Sequence, residues 1–326
     1  ININNNIFRP TFTGDLATRT MLDIDLTYQA TRNHGKIKIH DNQIFVKKTG
    51  ELYPIDVQYT YKTYGAVQVN APGWDVDFES NQVRTTLVEL LDISEENLAG
   101  VFINTSKNNA SLINRFTYLN CYNNSINIEN LLDIGNSIPD TSSNVFAALW
   151  CEGTVINIKN NILNYQNLTS IGTGIKTDLC IECSNVGSSG DYAVSNNMFS
   201  RAENSGAMSN YINSYIYLLN TDVYGTIIDN SFANEDPSGN EVYNDLLLFG
   251  PNVTIQPVYE RNKNQRKTVS YSGSGFDMSL NGFPIVNPLP ESHSVFSSAS
   301  IAMSDADEPN WVFSYDGTNA ATYRLF

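Results

Sequence analysis

Short runs of alternating apolar and polar residues recur along the chain, and asparagine interrupts them at a fixed place. INIKNNIL (Ile156 to Leu163) alternates, meets Asn161 and resumes at Leu163. The pattern is an apolar residue, a second one two on, Asn five on and a third apolar residue seven on. It recurs as Ile1, Ile3, Asn6 and Phe8, as Ile37, Ile39, Asn42 and Ile44, and as Val76, Phe78, Asn81 and Val83. Downstream it returns as Tyr192, Val194, Asn197 and Phe199, then as Ile227, Asn230 and Phe232 with Gly225 in the first slot. The starts at 1, 37, 76, 156, 192 and 225 are 36, 39, 80, 36 and 33 residues apart. A gap of 80 is two periods, so a degenerate copy is expected inside it. FTYLNCY (from Phe116) and INIENLL (from Ile126) fit a variant with Asn one place earlier. Self-similarity at such a period is the mark of stacked repeats.

Period-two alternation predicts strands with one buried face. Asn tolerates the left-handed region because its short amide bonds nearby backbone. Each copy therefore reads as strand, Asn corner, strand. Stacking would set the asparagines about 4.8 Å apart, within reach of an amide ladder. A meandering antiparallel sandwich accounts for the turns but not for the period. A further apolar strand precedes the corners, in AVQVNAPG (from Ala66), ALWCEG (from Ala148), DLCIEC (from Asp178), YIYLLN (from Tyr215) and NDLLLFG (from Asn244). Each coil then has three sides, and VTIQPVYERN (from Val253) reads as the last one.

Composition sharpens this picture. The chain has 326 residues, 41% of them apolar, with 18 Tyr and 15 Phe, enough for a large core. The longest window of helical periodicity is TTLVELLDISEENLAG (Thr85 to Gly100), and no run reaches the roughly 18 apolar residues of a membrane span. Net charge is −15, which repels nucleic-acid phosphates and suits neutral or hydroxyl-rich ligands. Cys180 and Cys183 form a lone CxxC whose members point to opposite faces of a strand. With Cys121, Cys151 and three scattered histidines they read as buried free thiols, so neither a metal site nor a cofactor is expected. The first residue is an Ile inside a repeat, and the chain is expected to be a fragment. YERNKNQRKTVS (from Tyr259) breaks the alternation, and the Gly-, Ser- and Pro-rich stretch from Ser272 to Ser292 reads as a linker. The expected organisation is repeats over 1–265, a linker or wrap over 266–292 and a small C-terminal β-domain over 293–326.

Three short strands per coil with an Asn corner between the second and third resemble the right-handed parallel β-helix of the pectate-lyase-like superfamily. Within it, a Tyr- and Asn-rich acidic chain ending in PNWVFSYDGTNAATYRLF (from Pro309) is similar to bacteriophage tailspikes. The resemblance covers residues 1 to about 265 by architecture and the last forty or so by local wording. It implies a homotrimer on the virion tail, held in part by the C-terminal domain. It also implies binding and cleavage of bacterial surface polysaccharide (capsule, O-antigen or exopolysaccharide), no membrane insertion, and contact with other phage tail proteins through a region preceding this chain.

In that superfamily the first strand column usually carries the saccharide groove. Alternation with Leu149 and Cys151 inward turns Trp150 and Glu152 outward, and with Ile181 and Cys183 inward it turns Cys180 and Glu182 outward. Glu152 and Glu182 would then be adjacent, at roughly the ~5 to 5.5 Å of a retaining glycosidase pair, with one pKa raised by crowding. Trp150 would offer a platform to a sugar face. A one-residue slip would bury Trp150 and Glu152 together, at a cost to the carboxylate. Asn70, Tyr217, Asn220 and Asp245 are the expected substrate-binding partners. Asp75, Asp77 and Glu79 alternate outward beside Trp74, but on the second column. The first column has no Arg, Lys or Asp cluster to neutralise a uronate, which favours hydrolysis over β-elimination. The alternatives are a non-enzymatic β-helical receptor-binding or structural tail protein, and a secreted polysaccharide lyase.

Overall fold

A computed structural model describes residues 1–13, 20–26, 35–49, 65–88, 98–106, 116–130, 145–167, 174–183, 190–201, 211–234, 244–249, 253, 257–264, 268–270, 300–303, 311–314 and 322–324. Among the described residues the chain is all-β, with three parallel sheets. The leading sheet has seven strands: Leu22–Asp25, Val67–Asn70, Leu98–Asn104, Val145–Gly153, Gly174–Cys183, Tyr211–Leu218 and Asn244–Phe249. The pre-corner sheet has eight: Asn2–Asn4, Lys36–His40, Asp75–Glu79, Tyr118–Tyr122, Val155–Lys159, Asp191–Ser195, Tyr224–Ile228 and Val258–Glu260. The post-corner sheet runs Ile7–Phe8, Gln43–Thr49, Gln82–Val88, Ser125–Asn130, Ile162–Asn167, Met198–Arg201, Ser231–Asn234 and Lys263–Asn264, with Thr11–Thr13 also pairing Gln43–Thr49. The chain visits the three sheets in turn, so hydrogen-bonded neighbours lie one round apart. Both ends of the window with helical periodicity are strands.

The missing round is Leu119, Cys121, Asn124 and Ile126, which keeps the repeat spacing in full, with Leu119 beside Val76 and Ile156. From Asn6 through Asn42, Asn81, Asn124, Asn161, Asn197 and Asn230 to Asn262 the amides form one ladder. Each Nδ2 donates to the next Oδ1 at 2.9–3.2 Å. Each main-chain N–H donates to that same oxygen at 2.9–3.1 Å. From Asn42 onward Nδ2 also reaches a main-chain carbonyl of the preceding round, as in Asn161 to Cys121 O at 2.8 Å.

The ladder residues are not the left-handed ones, which corrects the expected corner. Positive φ, between 51° and 59°, belongs to the residue just before each: Asn5, Asp41, Ser80, Asn123, Asn160, Asn196, Asp229 and Arg261. All of these are exposed, whereas Asn42 to Asn262 in the ladder are buried. One residue turns the chain and faces water. The next turns inward and supplies the donors and acceptors that a buried corner needs.

The main core lies between the three sheets and stacks like side chains: Phe199 lies over Phe232 at 5.0 Å, with Tyr215 edge-on at 5.2 Å. Gly225 is a packing requirement, since a Cβ there would sit 2.0 Å from the Tyr192 ring. The leading strands break strict alternation. Pairing skips Gly100, Ala148, Asp178 and Tyr215, and in several rounds two consecutive residues face the core, as in Ala66 with Val67, Ala148 with Leu149, and Tyr215 with Ile216. At the same level Asp178 is wholly buried and accepts the main-chain N–H of Tyr165 at 2.8 Å.

Thr268–Ser270, Ser300–Met303, Trp311–Ser314 and Thr322–Arg324 form a separate four-stranded antiparallel sheet. Its first strand comes from the stretch expected to be linker. Most of that stretch, 271–292, lies outside the described residues.

Candidate functional site

Beyond the bend, the outward positions of the leading sheet form two columns. Register aligns Asn70, Asn104, Glu152 and Glu182 in one, with Asp25 beside Asn70. The column two residues earlier runs Asp23, Gln68, Phe102, Trp150, Cys180, Tyr217 and Leu248. The expected pairing of the two glutamates is therefore present, one strand spacing apart, about 4.8 Å.

The polar column is a loose outer counterpart of the inner ladder. Asn70 Nδ2 donates to Asp25 Oδ1 at 3.5 Å, and Asn104 Nδ2 to Asn70 Oδ1 at 3.3 Å. Asn104 Oδ1 in turn accepts from Ser106 N and Oγ at 2.7 and 2.6 Å. At the other end Asn220, itself left-handed at φ 48°, donates to Glu182 Oε2 at 3.2 Å. Asn70, Glu152, Glu182 and Asn220 thus lie along one stripe. Asp245 does not join it: it pairs with Ser214, on the far side of the bend, in register with Thr177 and Ala147. The skipped position in the pairing lies between Asp245 and Leu247, and simple alternation along the strand does not reveal it.

The apolar column overturns a second expectation. Trp150 faces away from the main core, as the alternation required, yet has no exposed surface, and Tyr217 keeps 3%. Phe102, Trp150, Cys180 and Tyr217 pack with Ala99, Val145 and Ala147 into a second apolar cluster, Phe102 meeting the Trp150 ring edge-on at 6.3 Å. Outward here does not mean open to water, so neither ring is a free platform for a sugar. Glu152, beside them, is also buried, while Glu182 is half-buried and Asn220 exposed. Burial, reinforced by Cys180 and Glu182, pushes the Tyr217 phenol well above its ordinary range.

Sequence reasoning missed Asp23 and Asp25, which stand outward on one strand where these two columns begin. Partial burial and the charge of Asp25 hold the Asp23 carboxyl above its usual range. The alternation in LDID was the available signal. All four cysteines are buried, with Cys180 and Cys183 on opposite faces as expected. Among the described residues no three His, Cys, Asp or Glu side chains cluster as metal ligands.

On the pre-corner sheet, Asp75, Asp77 and Glu79 do face outward. Asp77 is 5% exposed and is held by Lys36 Nζ at 2.5 Å and Asn120 Nδ2 at 2.9 Å. Asn120 Oδ1 then takes Asn157 Nδ2 at 3.0 Å and the Tyr122 hydroxyl at 3.1 Å. This satisfied network ties four rounds together.

Family models, curated proteins and solved structures were compared with the chain, and none matches it.

Proposed function

We propose that the chain is a right-handed parallel β-helix of the phage tailspike type, working as a homotrimer, that binds bacterial surface polysaccharide and cleaves it by hydrolysis. Three parallel sheets visited in turn support the helix, and the single observation that carries the chemistry is the register of Glu152 on Glu182. Two carboxyl groups one strand apart suit a retaining glycosidase, in which one carboxylate attacks the anomeric carbon while the other donates a proton to the leaving oxygen. Glu152, the more buried of the two, is assigned as the acid in this reading. Glu182 is the nucleophile, oriented by the Asn220 amide at 3.2 Å. Asn70 and Asn104 continue the stripe with groups that bond sugar hydroxyls.

The test is release of reducing ends, with absorbance near 235 nm followed in parallel, from capsular and O-antigen polysaccharides. Glu152→Gln and Glu182→Gln are run beside the unaltered chain. Reducing ends without new absorbance, lost in both variants, are expected. New absorbance would mean β-elimination by other residues, and cleavage surviving both variants would remove the pair from the mechanism.

One observation favours a second reading, a receptor-binding or structural tail protein without chemistry. The face expected to be a groove is closed over Trp150, and Glu152 retains only 8% of its surface. Retention of polysaccharide without any cleavage is the outcome that selects it.

A further inference from the structure

Among the described residues most large rings are buried or half-buried, which makes the exceptions informative. Tyr224 is 77% exposed and Tyr118 is 45% exposed. Both stand on the outer face of the pre-corner sheet, in one register column that runs Tyr118, Val155, Asp191, Tyr224. Three strand spacings separate them, about 14 Å. The column beside them on the same face holds Asn157 and Thr226, both half-buried. Asn157 gives its Nδ2 to Asn120 Oδ1 at 3.0 Å. The floor between the rings therefore offers small hydroxyl and amide groups. Within these two columns the one charge is the carboxylate of Asp191, and Lys159 stands exposed one column further along the same face.

We propose that this face is a second glycan-binding surface, separate from the Glu152–Glu182 stripe, and that its ligand is a neutral polysaccharide lying across the strands with sugar faces on Tyr118 and Tyr224. Tyrosine suits this role because its flat apolar body covers the C–H face of a sugar while its hydroxyl stays wet. Two rings at this separation engage an oligomer rather than a single sugar, and gain by holding both ends at once. The absence of Lys and Arg from these two columns between the rings, with Asp191 among them, disfavours uronate-rich or sulfated chains by like-charge repulsion. The inference rests on the polysaccharide reading of the preceding section and adds to it the neutral class of the ligand.

The experiment is affinity electrophoresis of the whole chain in gels cast with neutral O-antigen or exopolysaccharide, and with uronate-containing capsule as the comparison. Retardation by at least one neutral polymer is expected, with little by the acidic one. Tyr224→Ala and Tyr118→Ala should each weaken retention about tenfold, the effect of losing roughly 1.4 kcal/mol of ring contact. Tyr224→Phe should keep it, since the ring remains. If no polysaccharide retards the unaltered chain, the preceding reading fails and this one with it. If the chain is retarded but both alanine variants run identically to it, this inference alone is overturned. Light scattering on the same variants covers the remaining occupant: loss of a multimer with retention unchanged would make the face a contact between copies and would also overturn it.

Discussion

Asn160 and Asn161 are adjacent, chemically identical and predicted to respond very unequally to substitution. Asn161 is 1% exposed and takes part in four side-chain hydrogen bonds. Its Nδ2 donates to Asn197 Oδ1 at 3.0 Å and to Cys121 O at 2.8 Å, and its Oδ1 accepts Asn124 N and Asn124 Nδ2, each at 2.9 Å. Asn161→Ala removes all four. At about 1 kcal/mol net for each bond the loss is ~4 kcal/mol, and the stranded Asn124 N–H adds to it. Asn160 is exposed at φ 57°, and its side chain makes one bond, to Asn123 Oδ1 at 3.3 Å. Asn160→Ala should cost about 1–2 kcal/mol for the left-handed backbone. Asn160→Gly should be close to neutral, because glycine adopts that conformation freely.

Urea denaturation followed by circular dichroism gives the order of the three variants. Stacked rounds depend mainly on their neighbours, so a local probe is needed as well. Hydrogen exchange of the Asn124 amide supplies it, since that N–H loses its acceptor in Asn161→Ala and keeps it in Asn160→Gly. Unchanged protection of Asn124 in Asn161→Ala, or an Asn160→Gly chain as unstable as Asn161→Ala, would refute the division of labour at the corner.

Gly225→Ala drives a methyl into the Tyr192 ring and should cost about 1–3 kcal/mol by overpacking. Tyr192→Leu in the same chain should recover part of that loss, so a double-mutant cycle on urea midpoints will show favourable coupling, and strict additivity will refute the contact. Alkaline pH should destabilise the chain. Burial holds the Cys151 and Cys183 thiols and the Tyr192 phenol above their ordinary values, so the unfolded state loses these protons first as pH rises through 9 to 10. Stability is then full below the unfolded-state values and falls above them, and urea midpoints at pH 7 and pH 10 will show it. Equal midpoints would refute the burial of these groups.

The ladder was legible because it imposes one amide per round at a fixed spacing, and Asn6, Asn42, Asn81, Asn161, Asn197 and Asn230 all announce it. Asn124 was hidden by framing, since Phe116 drew the repeat three residues too early and the true apolar slots hold Leu119 and Cys121. Asn262 follows Arg261, and no strong apolar alternation marks its strand. Doubled asparagines at 123–124, 160–161 and 196–197 concealed which residue turns the chain. Asp41, Ser80, Asp229 and Arg261 break the tie. The first position varies because it only has to tolerate positive φ, and the second does not because its amide is bonded on every side.

The candidate site was legible only as far as the side of the sheet each residue occupies. Period-two alternation assigns a side chain to one face or the other, and it assigned Glu152 and Glu182 correctly to a shared outer column. It carries no information on whether that face is covered. A second, chemical signal was present in the neighbouring column, where Phe102, Trp150, Cys180 and Tyr217 keep four successive rounds apolar. Solvent would oppose such a run, so it marks a packing surface, and the second cluster is built there. The Tyr118 to Tyr224 column has the opposite character. Its two rings are separated by Val155 and Asp191, no round-after-round apolar stripe forms, and both rings stay in water. Aromatic residues stacked in register therefore argue for burial even when they point outward. Isolated ones spaced along a polar column argue for contact with something that arrives from solution.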